Sequence, residues 1–360
     1  MKKILSLVLS SVLAISVLAG CAAKTTVETP TETPVETAVE TPAETPVETP
    51  VEAGGIAKMG LGIVTSIEKS KDYAEDAALG QVDSVIVAAG FDKDGKIVTV
   101  TIDTAQSKVE FAKDMTLKTD VAVEGKSKVE LGADYGMAAA STLGKEWFEQ
   151  IAEFEKWMIG KTVEEVKGMK LTDTTVPDVE ELKTLVTIKV SGYIAALDKA
   201  YANAMTVEGA ETVGLGHGIS LAKSKAQDGE TGAVAQVDTT IVATALDADG
   251  KVAGTVIDTA QTKVTFDKDG KITNDLKAEV KSKVEQGADY GMLKASTIGK
   301  EWFEQAKALA DWTVGKTAAE VSGIKVTAEG NADVEELKTT VSVSIDGYIA
   351  AFTEAASKVR

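Results

Sequence analysis

Two stretches of this chain are nearly the same text. Residues 133–150 read ADYGMAAASTLGKEWFEQ and residues 288–305 read ADYGMLKASTIGKEWFEQ, identical at 15 of 18 positions at an offset of 155. Asp103-Thr104-Ala105-Gln106 returns as Asp258-Thr259-Ala260-Gln261, Gly160-Lys161-Thr162 as Gly315-Lys316-Thr317, and Gly192-Tyr193-Ile194 as Gly347-Tyr348-Ile349. Each copy is about one domain long, so the duplication predicts two like units, 55–204 and 207–360, each able to fold alone.

Within a copy the hydrophobic period changes midway. Val82 to Val87 and Ile97 to Ile102 alternate apolar and polar residues around Asp92-Lys93-Asp94-Gly95, which reads as strand, tight turn, strand. A third strand is expected over 108–112, and Asp267-Lys268-Asp269-Gly270 marks a further hairpin turn in the second copy. Trp147, Phe148, Ile151, Phe154 and Met158 then share a helical face that Gly160 ends. A short helix from Val163 to Val166, a strand over 185–190 and a last helix over 193–204 follow. The expected fold class is α+β: two tandem homologous domains, each an antiparallel sheet with helices packed on one face.

Composition removes whole classes of chemistry. With one His and one Cys the chain reads as lacking the residues for a Ser-His-Asp triad, a Cys-His dyad, a multi-His or multi-Cys metal centre, or a disulfide framework. No nucleophile and base can be paired, so no catalytic residues and no metal are assigned. A net charge of -18 opposes nucleic acid as a partner, because that affinity comes mainly from Lys and Arg.

The first 54 residues read as an address. Lys2 and Lys3 precede an apolar run from Ile4 to Leu18, a secretory signal over 1–20. Leu18-Ala19-Gly20-Cys21 resembles a bacterial lipobox, which makes Cys21 the expected lipidation site and the cell membrane's extracytoplasmic face the expected location. Over 21–54 Glu recurs every fourth residue, usually as Glu-Thr-Pro, and five of the six prolines lie there. Such a segment has no apolar face to offset its ordering entropy, so a disordered stalk is expected, reaching up to about 90 Å in polyproline II.

Several motifs dissolve on inspection. Gly160-Lys161-Thr162 lacks the upstream glycine of a phosphate-binding loop, Glu155 and Ala310 standing there. The Asp-x-Asp-Gly turns lack the sixth-position glycine of a calcium loop. His217 has Ile63 as its counterpart and reads as a surface or loop histidine; the tryptophans at 147, 157, 302 and 312 read as core. The polar segments 103–106 and 134–142 kept in both copies are harder to dismiss. Their candidate ligand-binding residues are Asp103, Gln106, Tyr135, Met137, Ser141 and Thr142, with Asp258, Gln261, Tyr290, Met292, Ser296 and Thr297 in the second copy. A strand end meeting a helix start would gather free N–H groups and hydroxyls for an anion or a ring.

On these residues the unit resembles the FMN-binding-domain lipoproteins of Gram-positive and clostridial cell surfaces. The resemblance rests on the lipobox at Cys21, the Thr/Glu/Pro stalk, Gly60-Leu61-Gly62, Trp302-Phe303-Glu304-Gln305 and the Val314 to Val321 segment. It implies FMN or another flavin as cofactor and electron transfer outside the cell. Members with covalent flavin carry Ser/Thr-Gly-Ala-Thr; here Val166-Lys167-Gly168-Met169-Lys170 and Val321-Ser322-Gly323-Ile324-Lys325 lack the acceptor threonine, so the binding implied is non-covalent. The ring is expected against 134–142 with Tyr135 or Tyr290 as a stacking face, and the phosphate at the helix start. The alternative is a non-redox surface protein that binds a partner or forms a structural layer.

Overall fold

The computed structural model describes residues 55–360. The signal segment, Cys21 and the stalk lie outside the described residues. Among the described residues no helix is long and apolar enough to cross a membrane.

Seven antiparallel strands carry the fold. In the first copy they are β1 (Ile56–Ser66), β2 (Lys71–Ala74), β3 (Ala77–Phe91) and β4 (Ile97–Phe111), and in the second β5 (Met205–Ser220), β6 (Val234–Asp247) and β7 (Val252–Thr265). β1, β3 and β4 form a meander, as do β5, β6 and β7, and the two meanders join where β1 pairs β5, with Met59 opposite Met205. The expected third strand over 108–112 is the continuation of β4, because no turn residue interrupts its ladder with β3 from Ile97 to Phe111.

The helices are α1 (Lys128–Leu131), α2 (Trp147–Met158), α3 (Val163–Lys167) and α4 (Ser191–Ala202), repeated as α5 (Lys283–Gln286), α6 (Trp302–Thr313), α7 (Ala318–Ser322) and α8 (Asp346–Ser357). In each copy they cover one face of that copy's strands. Trp147, Ile151, Phe154 and Met158 pack with Val87, Phe91, Val100 and Ile102, while Phe148 stays 37% exposed. Gly60-Leu61-Gly62 is explained by this layer: a Cβ on Gly62 would stand 1.9 Å from the Ala196 carbonyl oxygen, so only glycine lets α4 lie flush on β1. Gly216 admits α8 on β5 in the same way, against Ala351.

The segment 185–190 is not a strand. Its alternation serves burial of Val186 and Val190 under α2, and the Thr187 N–H donates to Gln150 Oε1 at 2.8 Å instead of to a ladder partner.

The opposite faces of the two meanders pack on each other. Met59, Leu61, Ile63 and Ile86 share a cluster with Val213, Leu215, Ile241 and Ala243. Ala78, Val82, Val109 and Phe111 share another with Ala235, Val237, Val264 and Phe266. Residues 55–360 are therefore one compact α and β unit around a curled antiparallel sheet, layered as helices, sheet, sheet, helices, and not two separate tandem domains, because the copies share the sheet and the core between its faces.

Candidate functional site

The strand period decides which candidate residues meet. Thr104 and Gln106 face the helices of the first copy, while Asp103 points to the layer between copies. A cleft of about 560 Å³ opens on the helix side, lined among others by Gln106, Tyr135, Met137, Ser141 and Thr142. Five of the six first-copy candidates thus come together, and Asp103 is not among the lining residues.

Trp147 forms the cleft's floor, 1% exposed, with its Nε1–H donating to Tyr193 Oη at 2.9 Å. Tyr135 Oη lies 3.3 Å from Gln106 Oε1. The Lys128 ammonium sits 4.8 Å from the Tyr135 ring centroid and 5.2 Å from that of Trp147. Burial pulls the Lys128 pKa down to about 8, leaving it mainly cationic at pH 7. Lys69 and Lys189 line the same cleft, with Asp83 as its lining carboxylate, 2.6 Å from Lys69. The cleft is locally positive in an acidic protein.

Helix geometry changes the expected anion contacts. The Glu146 carboxylate before α2 accepts from the Met137 N–H at 2.8 Å and the Ala138 N–H at 3.1 Å, so those amides are already engaged. Ser141 Oγ accepts from Gln150 Nε2 at 3.1 Å. The lysine side chains, and not these backbone amides, are the donors left open to the cleft. Lys69, Lys128 and Lys189 were missed in the sequence; Ser127-Lys128-Val129-Glu130, repeated as Ser282-Lys283-Val284-Glu285, was the available signal for Lys128.

The second copy builds a different cleft. About 590 Å³ is lined by Lys223, Asp238, Thr240, Ser344 and Tyr348, with Glu124, Glu354 and His217 added. Tyr290 bonds Gln261 at 3.1 Å and Lys283 lies 4.7 Å from its ring centroid, repeating the first copy. Yet Tyr290, Met292, Ser296 and Thr297 do not line this cleft, Ser344 replaces Lys189, and Asp346 replaces Ser191.

Asp103 and His217 require a correction. His217 is neither a surface nor a loop residue: it lies in β5, 8% exposed, with Nε2 3.1 Å from Asp103 Oδ2. Asp103 also accepts from Ser127 Oγ at 2.7 Å and the Thr104 N–H at 2.6 Å. Burial alone would raise the Asp103 pKa, but the bonds from His217, Ser127 and Thr104 hold it below the usual range. Burial alone would lower that of His217, and the Asp103, Glu354 and Glu130 carboxylates together raise it. Asp258 has the same Thr259 N–H bond, at 2.7 Å, but no cation within 4 Å among the described residues. Burial drives its pKa up to about 6.

A second cross-copy pair lies nearby. Glu155 of α2 is 6% exposed, accepts from the Ile102 N–H at 2.6 Å and meets Arg360 at 2.7 Å. Ala310 holds the equivalent place in the second copy.

No protein-family profile matches the chain, and no solved structure does. A chlorophenol reductase of Desulfitobacterium hafniense is similar to part of it, 37% identical over 92 residues that cover 22% of this chain and 28% of that protein. The chain therefore spans little more than a quarter of that relative's length.

Proposed function

We propose that the chain is a membrane-anchored extracytoplasmic lipoprotein, tethered at Cys21, whose first-copy cleft binds FMN non-covalently for electron transfer outside the cell. One observation carries the reading: an ammonium held against two aromatic rings, with two further lysines in the same cleft. That arrangement suits a ligand with a planar ring and an anionic group. Lys128, Lys69 and Lys189 would hold the phosphate, and Tyr135 and Met137 would flank the ring. A bound flavin would supply electron acceptance and donation; the protein's share is to orient it and to exclude water.

The test is a fluorescence titration with FMN and with riboflavin, which lacks the phosphate. FMN is expected to bind at least about tenfold more tightly, about 1.4 kcal/mol, and Tyr135→Ala to weaken it by about 1 kcal/mol with little change in melting temperature. Equal affinity for the two would remove the phosphate from the argument. No binding of either would favour the alternative, a non-redox surface module, in which the Tyr135–Gln106 and Glu146 contacts serve structure alone.

A further inference from the structure

The layer between the copies holds a group of atoms that the first-copy cleft does not use. His217 Nδ1 is fully buried and has no hydrogen-bond partner, and the His217 side chain is 3% exposed. Its nearest carboxylate oxygen, Glu130 Oε2, is 3.9 Å away, beyond hydrogen-bonding reach. Glu354 Oε2 accepts from the His217 backbone N–H at 2.8 Å, and Lys358 pairs with its other oxygen. One donor atom each from Glu130, His217 and Glu354 lies within 4.8 Å of the others.

We propose that Glu130, His217 and Glu354 form a binding site for a divalent transition-metal ion of the zinc class, joining the two copies. The imidazole is set for it: with the ionised Asp103 accepting from Nε2–H, the buried Nδ1 keeps its lone pair, 3.9 Å from Glu130 Oε2. A carboxylate on the far nitrogen is the usual support of a metal-binding histidine, fixing its tautomer and raising its basicity. One imidazole and two carboxylates, with water completing the shell, suit zinc better than magnesium, which prefers oxygen alone. Glu130 Oε2 also accepts the Ser127 N–H at 2.7 Å, and movements of about 1 Å in the two glutamate side chains would bring the donors to about 2 Å from a common point.

The duplication supplies the contrasting case. The equivalents of Glu130, His217 and Glu354 are Glu285, Ile63 and Lys199, and the Lys199 ammonium bonds Glu285 at 2.5 Å. There the positive charge is built into the chain. Here a second glutamate and a histidine take the places of lysine and isoleucine, so the site gains a nitrogen donor, and its ammonium, Lys358, lies on the Glu354 oxygen that faces away from the His217 N–H.

The experiment is a calorimetric zinc chloride titration of the intact chain, with a magnesium chloride arm and proton–carbon NMR of the chain's one imidazole. Expected are one zinc per chain, a moved imidazole signal, no comparable magnesium binding, and at least about tenfold weaker zinc binding in Glu130→Gln and Glu354→Gln. Glu285→Gln should bind zinc like wild type. Glu130 is exposed, so its variant tests the site even if His217→Gln fails to fold. Undiminished zinc binding in both glutamate variants, an unmoved imidazole signal at saturation, or no saturable binding would overturn the proposal.

Discussion

The two copies share sheet, helices and the Tyr–Gln contact, yet their clefts carry opposite charge. The first is lined by Lys69, Lys128 and Lys189 against Asp83; the second by Lys223 against Asp238, Glu124 and Glu354. The layer between them is equally uneven, since Asp103 has His217 and Glu155 has Arg360, whereas Asp258 has no such cation and Ala310 needs none. Packing residues stayed alike because both copies must close the same layers, while charged positions were free to diverge. The proposed anion site therefore belongs to the first copy alone.

The largest expected effect comes from separating the copies. Residues 55–204 alone would expose Met59, Leu61, Ile63, Val82 and Phe111 on one face, a patch larger than soluble monomers tolerate. Analytical ultracentrifugation should show that half associating or unfolded; a stable monomer melting like the whole chain would mean that the shared layer contributes little.

The same substitution at equivalent positions should act in opposite directions. Asp103→Asn removes a carboxylate held by His217, Ser127 and two backbone amides, and should cost about 2 to 3 kcal/mol by denaturant unfolding at pH 7. Asp258→Asn should stabilise by roughly 1 to 2 kcal/mol at pH 8. The folded chain keeps the Asp258 proton up to about pH 6, while the unfolded chain releases it near 3.8. That contribution to stability is complete below about 3.8 and is lost as pH rises through about 6, so the wild type should weaken across this window and Asp258→Asn should not. Parallel pH profiles for the two would remove the asymmetry. Smaller still, Lys189→Ser, copying Ser344, should weaken FMN binding about threefold at low salt and less at high salt, because Lys189 is exposed.

Local features were legible in the sequence. The buried stripe Trp147-Ile151-Phe154-Met158 and the Asp92 to Gly95 turn follow from spacing and turn chemistry, and the retained segments named Gln106, Tyr135, Met137, Ser141 and Thr142 before they met in one cleft. Face assignment failed at Asp103, where one step along β4 sends the side chain into the other layer. His217 was illegible because its partner lies 114 residues away in the other copy, so comparison with Ile63 showed the loss of an imidazole but not the pair it makes. The strand expected over 185–190 failed because its alternation serves a helix-covered loop, which pattern alone does not distinguish from a ladder.

The unequal clefts are tested most directly by one FMN titration of three chains: wild type, Lys128→Gln and Lys283→Gln. The two lysines occupy equivalent places over Tyr135 and Trp147 and over Tyr290 and Trp302. Expected are one FMN per wild-type chain, about tenfold weaker binding in Lys128→Gln, and no change in Lys283→Gln. Two equivalents per chain, equal weakening in both variants, or a wild type that binds no FMN would contradict that asymmetry.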